Sequence, residues 1–141
     1  MSFLEEAFPP AEGGCQCGAV RYRIAAPPQV IDICHCLQCR KHSGAAFVPW
    51  LVMNVADFAW TRGKPAGFES SPGSRRLFCR ECGTPLGMTW AGEPHLIDVT
   101  VGSLDDAARF VPTAESFTKD RLPWARLVHR MADYPENSPS A

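Results

Sequence analysis

The sequence predicts a mainly-β domain, on three observations. Thirteen prolines and eleven glycines interrupt a chain of 141 residues, which leaves little room for long helices. The apolar runs between them are short and alternate with polar residues, the period-two pattern of half-buried strands. The length suits one domain with a genuine core, and no internal repeat of fixed period divides it.

Each element follows in order. "AVRYRIAA" (19–26) alternates as a strand, and "PPQ" (27–29) turns the chain. "VIDICHC" (30–36) reads as a second strand, with Cys34 and Cys36 on one face and His35 on the other. "AAFVPWLVMN" (45–54) and "FAWTRG" (58–63) give two more strands. "RRLFC" (75–79) leads into a tight turn at "RECG" (80–83), after which "TPLGMTW" (84–90) and "HLIDVTVGSL" (95–104) continue as strands. Only "LQCRKHSG" (37–44) and "SLDDAARF" (103–110) offer a helical turn or two. In the second, Ser103 is placed to cap, with Asp105 and Asp106 near the positive helix end. Residues 1–12 form an N-terminal segment and residues 13–130 the domain. Residues 131–141 form a flexible C-terminal tail, because "ADYPENSPSA" is rich in Pro, Ser and Asn.

The formal net charge of −1 carries no basic footprint, so nucleic acid is not the expected partner. No stretch approaches the roughly 18 uninterrupted apolar residues that a membrane helix needs. The opening "MSFLEEAFPP" is acidic and lacks the basic start of a secretory signal, so the expected location is the cytoplasm. Thiols stay reduced there, and seven cysteines would in any case leave one unpaired in a disulfide framework. Metal binding or catalysis is the better use for them.

The cysteines fall into three groups. Cys79 and Cys82, followed by Gly83, form a zinc-knuckle shape: two thiolates grip one ion from a tight turn, and the glycine takes the left-handed turn that aims amides at sulfur. A thioredoxin-like redox pair would need a helix starting at the motif, whereas Pro85 and Gly87 follow and the chain continues as a strand. Cys15 and Cys17, read as alternate residues of a strand, have Cα atoms about 6.6 Å apart, near the upper limit for a disulfide but suited to a shared zinc. These two pairs complete a closed four-thiolate site of the structural kind. Cys34, Cys36 and Cys39 remain. If the chain bends into a helical turn at "LQC", their sulfurs converge as three ligands with an open fourth position, the arrangement of a catalytic zinc. His42, His95 or His129 are the residues able to close it, and spacing alone leaves other partitions of the seven thiols open.

Four ordered motifs, "GGCQCGAVRYRI", "CHCLQCRKHSGAAF", "FCRECGTPL" and "SFTKDRLPW", together resemble the glutathione-dependent formaldehyde-activating enzyme family, which also includes centromere protein V. The resemblance spans roughly Gly13 to Trp124. It implies a β-tent fold, small antiparallel sheets stapled by zinc. It also implies two zinc ions per chain, a structural one on Cys15, Cys17, Cys79 and Cys82 and a second on Cys34, Cys36 and Cys39. The implied activity is that of a carbon–sulfur lyase joining glutathione to formaldehyde as S-hydroxymethylglutathione.

The chemistry suits the residues. Zinc with three thiolates is a weak Lewis acid but a good holder of a fourth, incoming thiolate, which it keeps ionised near neutral pH. Glutathione is anionic, so cations should lie nearby; Arg40 and Lys41 follow the last ligand, and Ser43 adds a hydroxyl. Trp50 and Trp124 are candidates to wall a pocket. The expected partners are a small-molecule thiol and an aldehyde. The rival expectation is a non-enzymatic, zinc-stabilised module that binds glutathione or a protein partner.

Overall fold

The computed structural model describes residues 8–126 and 132–138. Two sheets share the work. The smaller has the order β1 (Ala11–Gly14), β2 (Arg21–Ile24), β5 (Phe58–Arg62), all antiparallel. The larger has eight strands: β3 (Val30–Cys34), β4 (Val48–Asn54), β6 (Ala66–Ser71), β7 (Ser74–Phe78), β8 (Pro85–Trp90), β9 (Leu96–Thr100), β10 (Ala114–Ser116) and β11 (Ala132–Asp133). Their order is β11-β10-β3-β4-β9-β8-β7-β6. One helix, α1 (Leu37–Ser43), follows β3. The mainly-β class read from the sequence is the observed one, and the antiparallel pairing that the resemblance implies holds for every strand pair except β3–β10 and β10–β11. Among the described residues no helix is long and apolar enough to cross a membrane.

Period two sorts the larger sheet into two faces. On β4 and β9, Leu51, Met53, Ile97 and Val99 turn to the core, where they meet Tyr22, Ile24, Leu86, Leu104 and Phe110. The alternate residues Trp50, Val52, Leu96 and Asp98, with Asp32 and Cys34 of β3, line a cavity on the other face. Pro49 is tolerated in β4 because β9 pairs only from Trp50 onward, so position 49 has no β9 partner to lack.

Three features depart from the expected elements. The edge beyond β3 is parallel: β10 pairs with β3 in the register Ser116↔Cys34, and β11 pairs with β10. Within the stretch expected as a tail, residues 132–138 lie against this edge: the Tyr134 amide donates to the Glu115 carbonyl at 3.1 Å and Ser138 Oγ to Asp32 Oδ2 at 2.6 Å. Ser103 does not cap a helix. It is buried, bonding Tyr22 Oη at 2.6 Å and the Thr100 carbonyl at 2.8 Å, because the one-turn helix 107–109 starts later, after Asp106.

Tyr22 anchors the junction of the sheets. It is fully buried, stacked on Phe58 at 5.3 Å and edge-on to Trp60 at 5.9 Å. A Cβ at Gly13 would stand 2.4 Å from its hydroxyl and 2.6 Å from the Ser103 carbonyl. Gly13→Ala is therefore expected to destabilise the domain by about 2 kcal/mol through overpacking, read from the urea unfolding midpoint.

Candidate metal centre and its cavity

The first sulfur cluster ties the two sheets together. Cys15 and Cys17 were expected on one strand, but β1 ends at Gly14 and the pair sits in a turn. There the Gly18 amide donates to the Cys15 carbonyl at 3.1 Å, and Gly18 has φ +79°. A left-handed glycine makes that turn possible and brings both sulfurs to one side of it, Cys15 buried and Cys17 exposed. Cys79 and Cys82 occupy the matching turn after β7, closed by the Gly83 amide on the Cys79 carbonyl at 2.8 Å with φ +81° at Gly83. All four Sγ atoms lie within 4.8 Å of one another. Cys15 and Cys17 are 3.6 Å apart, Cys17 and Cys79 3.8 Å. Tetrahedral zinc with Zn–S near 2.3 Å requires sulfurs about 3.8 Å apart, so the donor set fits that ion. Amides of Val20 and Glu81 donate to Cys15 and Cys79 at 3.2 and 3.4 Å, as thiolates in a metal cage require. The Thr84 hydroxyl, then its amide, draws the exposed Cys82 thiol down to about 5.

The second cluster forms at a strand-to-helix junction. Cys34 and Cys36 do not share a strand face, because β3 stops at Cys34. Cys36 instead caps α1, its sulfur accepting the Cys39 amide at 3.3 Å. Its extended backbone (φ −65°, ψ 156°) and the helical turn after it bring Cys39 back beside Cys34. The three Sγ atoms again lie within 4.8 Å of one another. Hydrogen bonds from Cys34 and then Cys39 pull the Cys36 thiol down to about 2, while Cys34 is pushed up by its bonds to the other two. Three crowded sulfurs, two of them buried, oppose one another's ionisation, and a cation among them would relieve that.

Among the described residues no fourth His, Cys, Asp or Glu joins this trio. His35 is fully buried and turned away, its Nε2 2.8 Å from Glu115 Oε1; Arg121 reaches the other Glu115 oxygen at 3.1 Å. His42 packs on Phe68 and Phe78 at 5.6 and 6.3 Å. His95 is exposed in the turn before β9. His129 lies outside the described residues.

The trio borders a cavity of about 590 Å³, whereas none of the four cysteines of the first cluster does. Trp50, Met88 and Phe117 form its apolar wall beside the trio. Phe117 holds φ +52°, a backbone rarely adopted without glycine and common where a site is shaped. The cations of this cavity are Arg76 and Lys119. Arg40, Lys41 and Ser43 do not line it: Ser43 Oγ donates to the Cys39 carbonyl at 2.7 Å and accepts the Ala45 amide at 3.1 Å, which closes α1. Trp124 is 74% exposed elsewhere, while Trp50 is a wall residue. Arg76 and Lys119 escaped the sequence reading because both come from distant segments. The signal available was Lys119's place within "SFTKD" and Arg76's place three residues before Cys79, on the strand that leads into that motif.

Asp98 lines the cavity with Asp32 of β3 and Glu93 of the preceding turn, and Arg76 of β7 is the opposing charge that acts on it. Burial first, then Asp32 and Glu93, raise its carboxyl from 3.8 to about 7. Between these values the native state holds a proton the unfolded chain has lost, so stability falls as pH rises through that window. Asp98→Asn should therefore stabilise the protein by about 2–4 kcal/mol at about pH 8 and leave it nearly unchanged at about pH 4, in paired denaturation curves.

A family model described as glutathione-dependent formaldehyde-activating enzyme matches residues 10–120. A Halomonas elongata protein, provisionally named as a glutathione-dependent formaldehyde-activating enzyme, is 28% identical over 142 residues, covering 90% of each chain. An uncharacterized lyase of Schizosaccharomyces pombe is 29% identical over 93 residues, 64% of this chain and 67% of that protein. The crystal structure of a Rhodobacter sphaeroides protein superposes with a TM-score of 0.56 at 24% identity, covering 67% of this chain and 88% of that one, a likeness of fold.

Proposed function

The chain belongs to the glutathione-dependent formaldehyde-activating enzyme family, and from that premise we propose that it is a zinc-dependent carbon–sulfur lyase that makes or breaks a thiol–aldehyde adduct. Glutathione is the default thiol and S-hydroxymethylglutathione the default adduct. One observation carries the reading: three sulfurs within 4.8 Å, without a fourth ligand among the described residues, open on a cavity large enough for a tripeptide. Cys15, Cys17, Cys79 and Cys82 would hold the structural ion, and Cys34, Cys36 and Cys39 the other.

A zinc ion on the three-cysteine site supplies a position at which a thiol of ordinary pKa about 8.5 is ionised at neutral pH. The chain does the rest. Arg76 and Lys119 offset the charge of an anionic thiol. Trp50, Met88 and Phe117 exclude water beside the sulfur. The thiolate pair forms the C–S bond at the carbonyl carbon, the π pair moves to oxygen, and water returns the proton the thiol gave up. Positioning is a large share of such a barrier.

The test is adduct formation from glutathione and formaldehyde, followed by NMR exchange against the uncatalysed rate. A faster rate that saturates in glutathione is expected. An uncatalysed rate from protein with both sites loaded refutes the enzyme, and retained glutathione binding would then identify a binding module.

A further inference from the structure

We propose that Arg76 is the positioning residue that lets the three-cysteine site accept an outside thiolate. This rests on the metal-and-thiol reading above and adds to it a side chain outside the cysteine motifs' own ligands. Arg76 stands on β7 opposite Met88 of β8, a cavity wall residue, and is only 3% exposed. Its Nε donates to Ser70 Oγ at 3.1 Å, which sets the plane of the guanidinium. Its Nη1 donates to Cys39 Sγ at 3.5 Å.

A guanidinium stays charged, and burying it demands a counter-charge. Among the described residues no carboxylate lies within ion-pair distance of Arg76. Its nearest counter-charge is the sulfur cluster, which it bonds directly; Asp98, which it also faces, lies beyond ion-pair distance, and His42 is the other titratable group that feels its charge. Three thiolates around a divalent cation carry one net negative charge, and a fourth, incoming thiolate makes two. In a buried site that second charge is strongly opposed unless a fixed cation stands beside it. Arg76 is that cation. Its N–H···S bond also draws electron density from Cys39, which weakens that ligand and leaves the ion a better acceptor. A long-range contact achieves this: residues 39 and 76 meet because α1 packs against β6 and β7, where His42 meets Phe68 and Phe78.

The test uses full-length protein loaded with cobalt(II), whose sulfur-to-metal charge-transfer absorption reports the ligands directly. Glutathione is titrated at several pH values into wild type, Arg76→Met and Arg76→Lys. Wild type should show a glutathione-dependent change. Arg76→Met should bind about tenfold more weakly or worse and need a pH about one unit higher, the scale of one lost charge-assisted hydrogen bond. Arg76→Lys should recover part of both, because charge returns without the fork geometry. Arg76→Gln, with the same expected loss, replaces the Met variant if that one does not fold. Wild-type affinity and pH dependence in a folded, metal-loaded Met or Gln variant would overturn the proposal, as would a Lys variant no better than the neutral ones. A wild-type spectrum that glutathione leaves unchanged would instead refute the thiol-site reading on which the proposal stands.

Discussion

Cys79→Ser is expected to leave the chain largely unfolded even in zinc-replete buffer, with far-UV dichroism lost and neither metal retained. Cys79 is fully buried and belongs to the main core, and its cluster joins turns 62 residues apart. Those turns follow strands of different sheets, β1 and β7, so the cluster fastens one sheet to the other. Metal binding by such a site is folding free energy, on the order of 10 kcal/mol for a four-thiolate zinc site, against a net stability of about 5–15 kcal/mol for a whole domain. A serine hydroxyl is a poor substitute for a thiolate, and the three remaining sulfurs would be left without a tightly held ion to join the two turns. A soluble, folded Cys79→Ser protein would show that the cluster is dispensable.

Cys34→Ser is expected to behave oppositely. It should keep the dichroism and unfolding transition of wild type to within about 1–2 kcal/mol, lose one of two bound metals, and lose turnover by more than about a hundredfold. Cys34 ends β3 beside the cavity and packs in a small satellite cluster with Cys39, Val48 and Trp50, apart from the main core. The strand end is held independently of its sulfur, by β4 on one side and the parallel β10 on the other. The His35 amide on the Ser116 carbonyl at 3.1 Å and the buried His35–Glu115–Arg121 chain secure the next residue. Loss even of a group that merely orients a metal ligand costs 10–100-fold, so loss of a ligand should cost more. Elemental analysis with an activity assay checks both parts, and equal damage to folding in the two variants would deny the clusters separate roles.

The three sulfur motifs were legible because the determinants of each are local, whereas the joining of Cys15 and Cys17 to Cys79 and Cys82, 62 residues from Cys17 to Cys79, was singled out from other partitions only by the family resemblance. A two-residue gap followed by Gly83 dictates a turn, and three cysteines across a strand-to-helix junction can face one point whether Cys36 ends the strand or caps the helix. The alternating runs of β4 and β9 likewise declare their buried faces. What escaped was long-range. β10 is three residues with no pattern of its own, and it becomes a strand only because β3 offers an open edge. β1 is the Gly-rich "AEGG", whose strand character comes from pairing with β2. The cations were sought beside Cys39 in sequence, but one helical step of about 100° per residue carries Arg40 and Lys41 off the cavity. Arg76 arrives from a strand 37 positions away.

On the proposed function, one cluster is closed while the other keeps a place for a guest thiol. Zinc X-ray absorption on protein carrying two metals, before and after glutathione, tests it most directly. The expected average is about 3.5 sulfurs per zinc, four at one site and three at the other, rising to about 4 when glutathione is added. An average of about 4 before addition, or one that glutathione does not raise, would contradict it.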